Sequence, residues 1–141
     1  MKTIHFFKED IRFRLLHQEE LRKWITNAAR ENNFQPEEVN YIFCSDHYLL
    51  QLNKKFLDHN FYTDIITFDN SSGNKKISAD IFISIDSVKT NAGKFQTGFK
   101  DELHRVMIHG MLHLLGYKDK TKKDQLVMRT KENEWLSRRK F

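Results

Sequence analysis

Two histidines, His109 and His113, stand one helical turn apart in this chain. Because residues i and i+4 lie on the same face of an α-helix, both imidazoles could bind one metal ion. Gly116 follows closely and is typical of the left-handed residue that ends a helix, and Asp119 lies just beyond it, where it could supply a third ligand. The spacing predicts the site of a metal-dependent hydrolase; the alternative is a pair of hydrogen-bonded core histidines.

The predicted ligands are two imidazole nitrogens and one carboxylate oxygen, a donor set that catalytic zinc sites use. Zinc held by three protein ligands keeps a fourth position for water and lowers the pKa of that water towards neutrality. We therefore predict that His109, His113 and Asp119 are both the metal ligands and the catalytic residues. Zn²⁺ is the expected ion, although the same donors also suit Ni²⁺, Fe²⁺ or Mn²⁺.

Gly110 directly follows the first histidine. In zincin peptidases this position is a Glu that acts as general base, and glycine has no side chain to accept a proton. A peptidase of that kind is therefore disfavoured. Two-His, one-carboxylate oxygenases also fit poorly, because their His-x-Asp spacing is carried on a strand.

The positive charge of the chain is unevenly distributed. The 141 residues carry a net charge of +5. From Lys118 onwards there are nine Lys and Arg residues against four Asp and Glu, so the whole excess follows the histidine pair. A basic segment beside a metal site suits a polyanionic substrate such as RNA. The alternative interpretation is a solvated helix face.

The composition is that of a globular protein, with 39% hydrophobic and 30% charged residues, and the length suits one domain. No apolar run is long enough to cross a bilayer, and the first ten residues contain charges too early for a secretory signal. Cys44 is a single cysteine within an apolar run, so we expect a buried thiol and no internal disulfide. These features predict a cytoplasmic protein.

Hydrophobic periodicity predicts a mixed order of strands and helices. Strands are expected at 4–7, 39–44, 64–68 and 77–84, and helices at 19–30, 46–53, 87–95, 101–115 and 124–139. Ser45 is expected to cap the second helix, the segment 32–36 to end the first helix, and the turn at 70–74 to join two strands of a hairpin. We predict one α+β domain over residues 1–141, with a small mixed four-stranded sheet, about five to six helices and a metal-site cleft.

The segment 109–119 closely resembles the His-Gly-x-Leu-His-Leu-x-Gly-Tyr-Asp-His signature of the YbeY family of bacterial endoribonucleases. Further matches follow in order over about the last two-thirds of the chain: Leu52-Asn53, the segments 63–68 and 80–84, and Met128 followed by Glu132. The resemblance implies an α+β zinc enzyme that cuts single-stranded RNA, matures the 3′ end of 16S rRNA and takes part in 70S ribosome quality control. Ribosomal components are then the expected partners, and neither DNA nor a membrane is expected.

The chain departs from the family pattern at two positions. Asp119 stands where the pattern has its third histidine. Leu57 stands where the family usually has an Arg that is thought to contact the scissile phosphate, and Lys54, Lys55 or His59 could replace that cation. Because Leu57 cannot neutralise a phosphate, a second function remains open, that of a ribosome-assembly or RNA-binding factor with a structural metal and no cleavage.

Three further side chains have both a structural and a functional interpretation. Asp64 and Asp80 could orient a ligand histidine, although hydrogen bonding to backbone at a strand edge or turn is the favoured interpretation. Tyr117 could stack on an unpaired base, although its position at a helix end favours local packing.

Overall fold

The computed structural model describes residues 2–59 and 62–141. Within these residues the chain forms four strands and five helices. In chain order they are β1 (Ile4–Lys8), α1 (Gln18–Glu31), β2 (Gln35–Cys44), α2 (Asp46–Leu57), β3 (Ile65–Asp69), β4 (Lys76–Ser84), α3 (Ile85–Lys94), α4 (Phe99–Leu114) and α5 (Lys122–Ser137). The predicted α+β class and the number of elements are confirmed.

The strands form one mixed sheet in the order β1-β2-β4-β3. β1 and β2 are parallel, as are β2 and β4, whereas β3 runs antiparallel to β4. The parallel pair β1 and β2 is joined through α1, since parallel strands need a crossover. The predicted hairpin is confirmed: it is formed by β3 and β4, with β3 at the edge of the sheet.

The two faces of the sheet are covered unequally. Alternate side chains of β2 and β4 meet α1, α3, α4 and α5 in the main core, because successive residues of a strand point to opposite faces. On the other face α2 covers a smaller cluster that contains Cys44, Leu49 and Ile66. Cys44 is fully buried there, as predicted, and burial raises the pKa of its thiol to about 12.

The helix ends follow the local sequence. The Ser45 side chain accepts a hydrogen bond from the Tyr48 amide and caps α2, as predicted. The Thr121 side chain does the same for the Asp124 amide at the start of α5. Gly116 has a φ of 106°, so it takes the left-handed conformation expected after α4.

The prediction was wrong about where β2 begins. The segment 32–36 was expected to lie between elements, but β2 starts at Gln35 and includes Pro36. Pairing with β4 shifts register between Pro36 and Glu38, and such an irregularity accommodates a residue that has no amide hydrogen. The three later helices begin about two residues earlier than predicted, α3 because Ser84 caps it by accepting from the Ser87 amide.

In the part of the chain that the structure describes, no helix has the length and apolar character needed to span a membrane.

Candidate metal centre

The two histidines lie on the same face of α4, as their spacing predicts. The centroids of the two rings are 4.6 Å apart and the ring planes are inclined by 80°. Asp119 approaches both rings: its Oδ2 lies 3.4 Å from Nε2 of His109 and 3.2 Å from Nε2 of His113. One ligand atom from each of the three residues therefore lies within 4.8 Å of the others.

Asp119 reaches the histidines because the chain reverses directly after α4. The Gly116 amide donates to the His113 carbonyl and the Tyr117 amide donates to the Leu112 carbonyl, which closes the end of the helix. The side-chain amide of Gln125, on α5, donates to the Asp119 carbonyl at 3.1 Å. The carboxylate is thus held by a short connection that is fixed at both ends.

Glu132 of α5 lies behind the first histidine and is only 5% exposed. Its Oε2 is 2.6 Å from Nδ1 of His109, and its Oε1 accepts from Nη1 of Arg105 at 2.9 Å. An ionised carboxylate can only accept, so Nδ1 carries a proton, and in the neutral imidazole the lone pair lies on Nε2, on the side of the ring away from Glu132. This is the arrangement by which carboxylates orient metal-binding histidines.

His109 and Glu132 each stabilise the charged form of the other. Burial lowers the pKa of His109, but the hydrogen bond and charge of Glu132, together with the charges of Asp119 and Asp64, outweigh burial and raise the pKa above its usual value. Burial likewise raises the pKa of Glu132, and the hydrogen bonds from His109 and Arg105 outweigh it, so that pKa lies below its usual range. Glu132 is therefore ionised at neutral pH.

The donor atoms fit a divalent cation. Two imidazole Nε2 atoms and one carboxylate oxygen converge, and the proton on the first imidazole faces its carboxylate partner rather than the centre. Nitrogen and oxygen donors of this kind suit Zn²⁺ as well as other first-row metals. His109, His113 and Asp119 are the residues that would hold the ion.

Two surface depressions meet at this cluster. One, of about 470 Å³, lies along the edge strand β3 and is bordered by Thr63, Thr67 and Asp69. The other, of about 300 Å³, lies between α3, α4 and α5 and includes Phe95 and Arg129. Asp64, His109 and Asp119 belong to both depressions. The cleft is open and extends to both sides of the candidate ligands.

Asp64 borders the candidate metal centre, whereas the favoured sequence interpretation gave it only a structural role at a strand edge. It lines both depressions, and burial raises the pKa of its carboxyl although His109 opposes the shift. Asp80 instead accepts from Asn40 at 2.9 Å and lines neither depression, in agreement with a structural role. Tyr117 packs against the main core, which agrees with its predicted packing role.

The cations proposed to replace the missing arginine lie outside both depressions. Leu57 is the last residue of α2, and its side chain is 42% exposed. Among the described residues, neither lining includes Leu57, Lys54, Lys55 or His59. The Lys55 ammonium instead lies over the Phe56 ring at 5.2 Å.

Sequence reasoning missed the contacts of Glu132 with Arg105 and with His109, and the position of Arg129 in the lining of the cleft. Glu132 lies 23 positions from His109, so no helical periodicity connects them. Its match to the family pattern was the available signal, but that match gave it no role. No comparable signal marked the two arginines, which come from different helices.

An α+β fold with a helical histidine pair and a facing carboxylate in an open cleft defines a candidate metal-dependent hydrolase. Comparison with known proteins gives the family: the family model described as Endoribonuclease YbeY matches residues 4–140. The chain belongs to the YbeY family.

Individual relatives agree with this assignment. The chain is 57% identical to the Endoribonuclease YbeY of Cytophaga hutchinsonii over 140 residues, which are 99% of this chain and 98% of the relative. It is 45% identical to the Endoribonuclease YbeY of Flavobacterium psychrophilum, with 92% of each chain covered. The solution structure of the protein TM1509 from Thermotoga maritima is similar with a TM-score of 0.64 and 25% identity, over 95% of this chain and 87% of that one.

Proposed function

We propose that this chain is a metal-dependent endoribonuclease specific for single-stranded RNA, formed by one domain over residues 1–141. It acts in the cytoplasm on 16S rRNA, in maturation of its 3′ end and in quality control of the 70S ribosome. The observation that carries the proposal is the approach of Asp119 Oδ2 to both histidine Nε2 atoms in a member of the YbeY family. The names of the relatives support RNA as the substrate.

In this proposal the chain holds the ion and presents the RNA to it. His109, His113 and Asp119 bind Zn²⁺, and Glu132 keeps the first imidazole in the ligating tautomer. An ion held by these residues would supply activation of water and would offset negative charge on the phosphodiester. The basic segment after Lys118 attracts the RNA backbone without reading its sequence, so binding should weaken as salt rises.

The decisive experiment combines metal analysis of the purified protein with cleavage of single-stranded RNA, with and without chelator. We expect about one zinc ion per chain and cleavage that chelation abolishes. His113→Ala should lose both the stoichiometric metal and cleavage, whereas His47→Ala, at an exposed position of α2, should lose neither. Cleavage that survives in His113→Ala would place the chemistry elsewhere.

The third ligand is tested by Asp119→His. Histidine is itself a zinc ligand, so this variant should retain metal, whereas Asp119→Ala should bind it more weakly. Equal metal content in Asp119→Ala and the unmodified protein would remove Asp119 from the ligand set.

A second candidate function is favoured by Leu57, which stands at the family's arginine position. In this alternative the protein would act as a ribosome-assembly factor, with a structural metal and with RNA that is bound but not cut. The same assay separates the two functions, since this one predicts tight binding to rRNA with no cleavage that depends on metal.

A further inference from the structure

The depression between α3, α4 and α5 is lined by carboxylates, which repel a phosphate. Asp64, Glu102, Asp119 and Glu132 all border it, and its described lining residues include two arginines, Arg105 and Arg129, and no lysine. A phosphodiester that reaches the candidate ligands through this depression therefore needs one of these arginines as its partner.

Arg105 is already engaged by the protein. Its Nη1 donates to Glu132 Oε1 at 2.9 Å and its Nη2 donates to Asn133 Oδ1 at 2.7 Å. Its side chain is 18% exposed. The guanidinium therefore neutralises the carboxylate that orients His109 and has little capacity left for a ligand.

Arg129 has the opposite character. Its side chain is 53% exposed, and within the described part of the chain its one polar contact is to Glu132 Oε1, at 3.7 Å. That distance exceeds hydrogen-bonding range, and the same oxygen already accepts from Arg105. The Glu132 carboxylate is already engaged by Arg105 and His109, so this long contact leaves the hydrogen-bond donors of the exposed Arg129 guanidinium available to an anion.

The position of Arg129 on α5 is also well defined. Met128, the preceding residue, is 2% exposed and anchors the helix in the main core. Glu132 lies one turn later, and its second oxygen contacts His109. A single carboxylate group thus separates the Arg129 guanidinium from a candidate metal ligand.

We propose that Arg129 binds the RNA phosphate presented to the candidate metal centre. The planar guanidinium can donate two parallel hydrogen bonds to the non-bridging phosphate oxygens. This inference rests on the proposed endoribonuclease function and adds a substrate-binding residue to it.

The test compares Arg129→Gln with Arg30→Gln in the full chain loaded with zinc. Arg30 is exposed on α1 and lines neither depression, so its replacement removes one charge away from the site. Because a donor at a reacting oxyanion contributes about 10²-fold to rate, Arg129→Gln should lower kcat/KM for single-stranded RNA about 100-fold. Arg30→Gln should change it little. Arg129→Lys, which keeps the charge without the planar fork, should recover part of the loss.

Salt dependence of RNA affinity separates phosphate binding from a structural role. Loss of one phosphate contact should reduce the slope of log K against log salt concentration by about 0.7 in Arg129→Gln only. Zinc content and thermal unfolding should stay unchanged in every variant. The inference is overturned if Arg129→Gln matches Arg30→Gln in rate and slope, or if it loses zinc, because Arg129 would then act through Glu132. If the unmodified protein shows no cleavage that depends on metal, the proposed function itself fails.

Discussion

At the scale of single residues, Glu132 links the parts of the site. It is buried, and its two oxygens contact His109 and Arg105 separately. Removing one partner of such a buried arrangement leaves the others without compensation, so we expect Glu132 to affect the candidate metal centre through His109 and Arg105. The candidate ligand His109 therefore has its orientation set by a residue of α5.

Glu132→Gln should weaken zinc binding by about 10- to 100-fold, as loss of such orienting partners typically does. A glutamine has one acceptor oxygen in place of two, so it cannot serve both His109 and Arg105 fully. Competitive titration with a chelator of known affinity measures the change.

Glu134→Gln is the matched control for this prediction. Glu134 lies on the same helix, is 48% exposed and pairs with Lys131 at 3.2 Å. Zinc affinity should be unchanged in this variant. Equal affinity in both variants would mean that the Glu132 carboxylate does not support the ligand.

At the scale of elements, Gly110 sets how closely α4 approaches the sheet. A Cβ built at this position would lie 3.0 Å from Cδ1 of Ile65 and 3.2 Å from Cγ2 of Ile81. The sequence interpretation treated Gly110 only as a missing general base, whereas the structure shows a packing role. The two candidate ligand histidines therefore lie on a helix segment in close contact with β3 and β4.

Gly110→Ala should lower the free energy of unfolding by about 1 kcal/mol. Crowding in a packed core destabilises the folded protein by about 1–3 kcal/mol. The better helix propensity of alanine offsets about 0.5–1 kcal/mol of that loss. Ile81 is fully buried and branched at its β-carbon, so its Cγ2 can move little to make room for the new methyl group. Urea denaturation measures the difference.

Gly93→Ala provides the contrast, because a Cβ at that position meets nothing within 4 Å. Gly93 lies in α3, so the substitution should stabilise the protein by about 0.5 kcal/mol. If both variants are stabilised, the close approach at Gly110 is not restrictive.

The elements themselves were largely predictable because they depend on local patterns. The helical period around Trp24 and the alternation around Ile81 are properties of short segments, and both elements are present. The start of β2 was not predictable, because pairing with β4 extends the strand through Pro36 despite its poor local propensity.

At the scale of the whole molecule, His104 of α4 joins distant parts of the chain. Its Nδ1 accepts from Nη1 of Arg139 at 2.7 Å, and its ring lies 6.0 Å from Trp24 and 5.6 Å from Phe141. Burial, followed by the positive charges of Arg139 and Lys100, lowers the pKa of His104 to about 3. The folded protein therefore holds this imidazole neutral.

The stability of the protein should accordingly fall on mild acidification. Above pH 6.5, the ordinary pKa of the group, His104 is neutral in both states and its contribution is complete. As pH falls from 6.5 towards 3, His104 becomes protonated in the unfolded chain but stays neutral in the folded chain. The free energy of unfolding therefore decreases by at most about 1.4 kcal/mol per pH unit. Urea denaturation between pH 7 and 5 measures the slope.

His104→Asn removes the titrating group and keeps an acceptor for Arg139. It should be less stable at pH 7, because ring contacts are lost, but its stability should vary less with pH. If the stability of His104→Asn and of the unmodified protein varied equally with pH, groups other than His104 would cause the pH dependence.

The candidate ligands could be predicted from sequence to the extent that they are neighbours in it. His109, His113 and Asp119 span eleven residues, and the structure brings all three together. Arg129 and Glu132 enter the site through the packing of α4 against α5, a tertiary relation that the order of residues does not reveal.

The order of the segments that build the site also has a consequence for synthesis. All four strands precede α4 in the chain, while Asp119 and Glu132 come after it. A nascent polypeptide therefore exposes the residues of its complete sheet before it has either carboxylate. Such a chain, emerging from the very machinery whose RNA is its proposed substrate, would gain the proposed activity only after α5 has been synthesised.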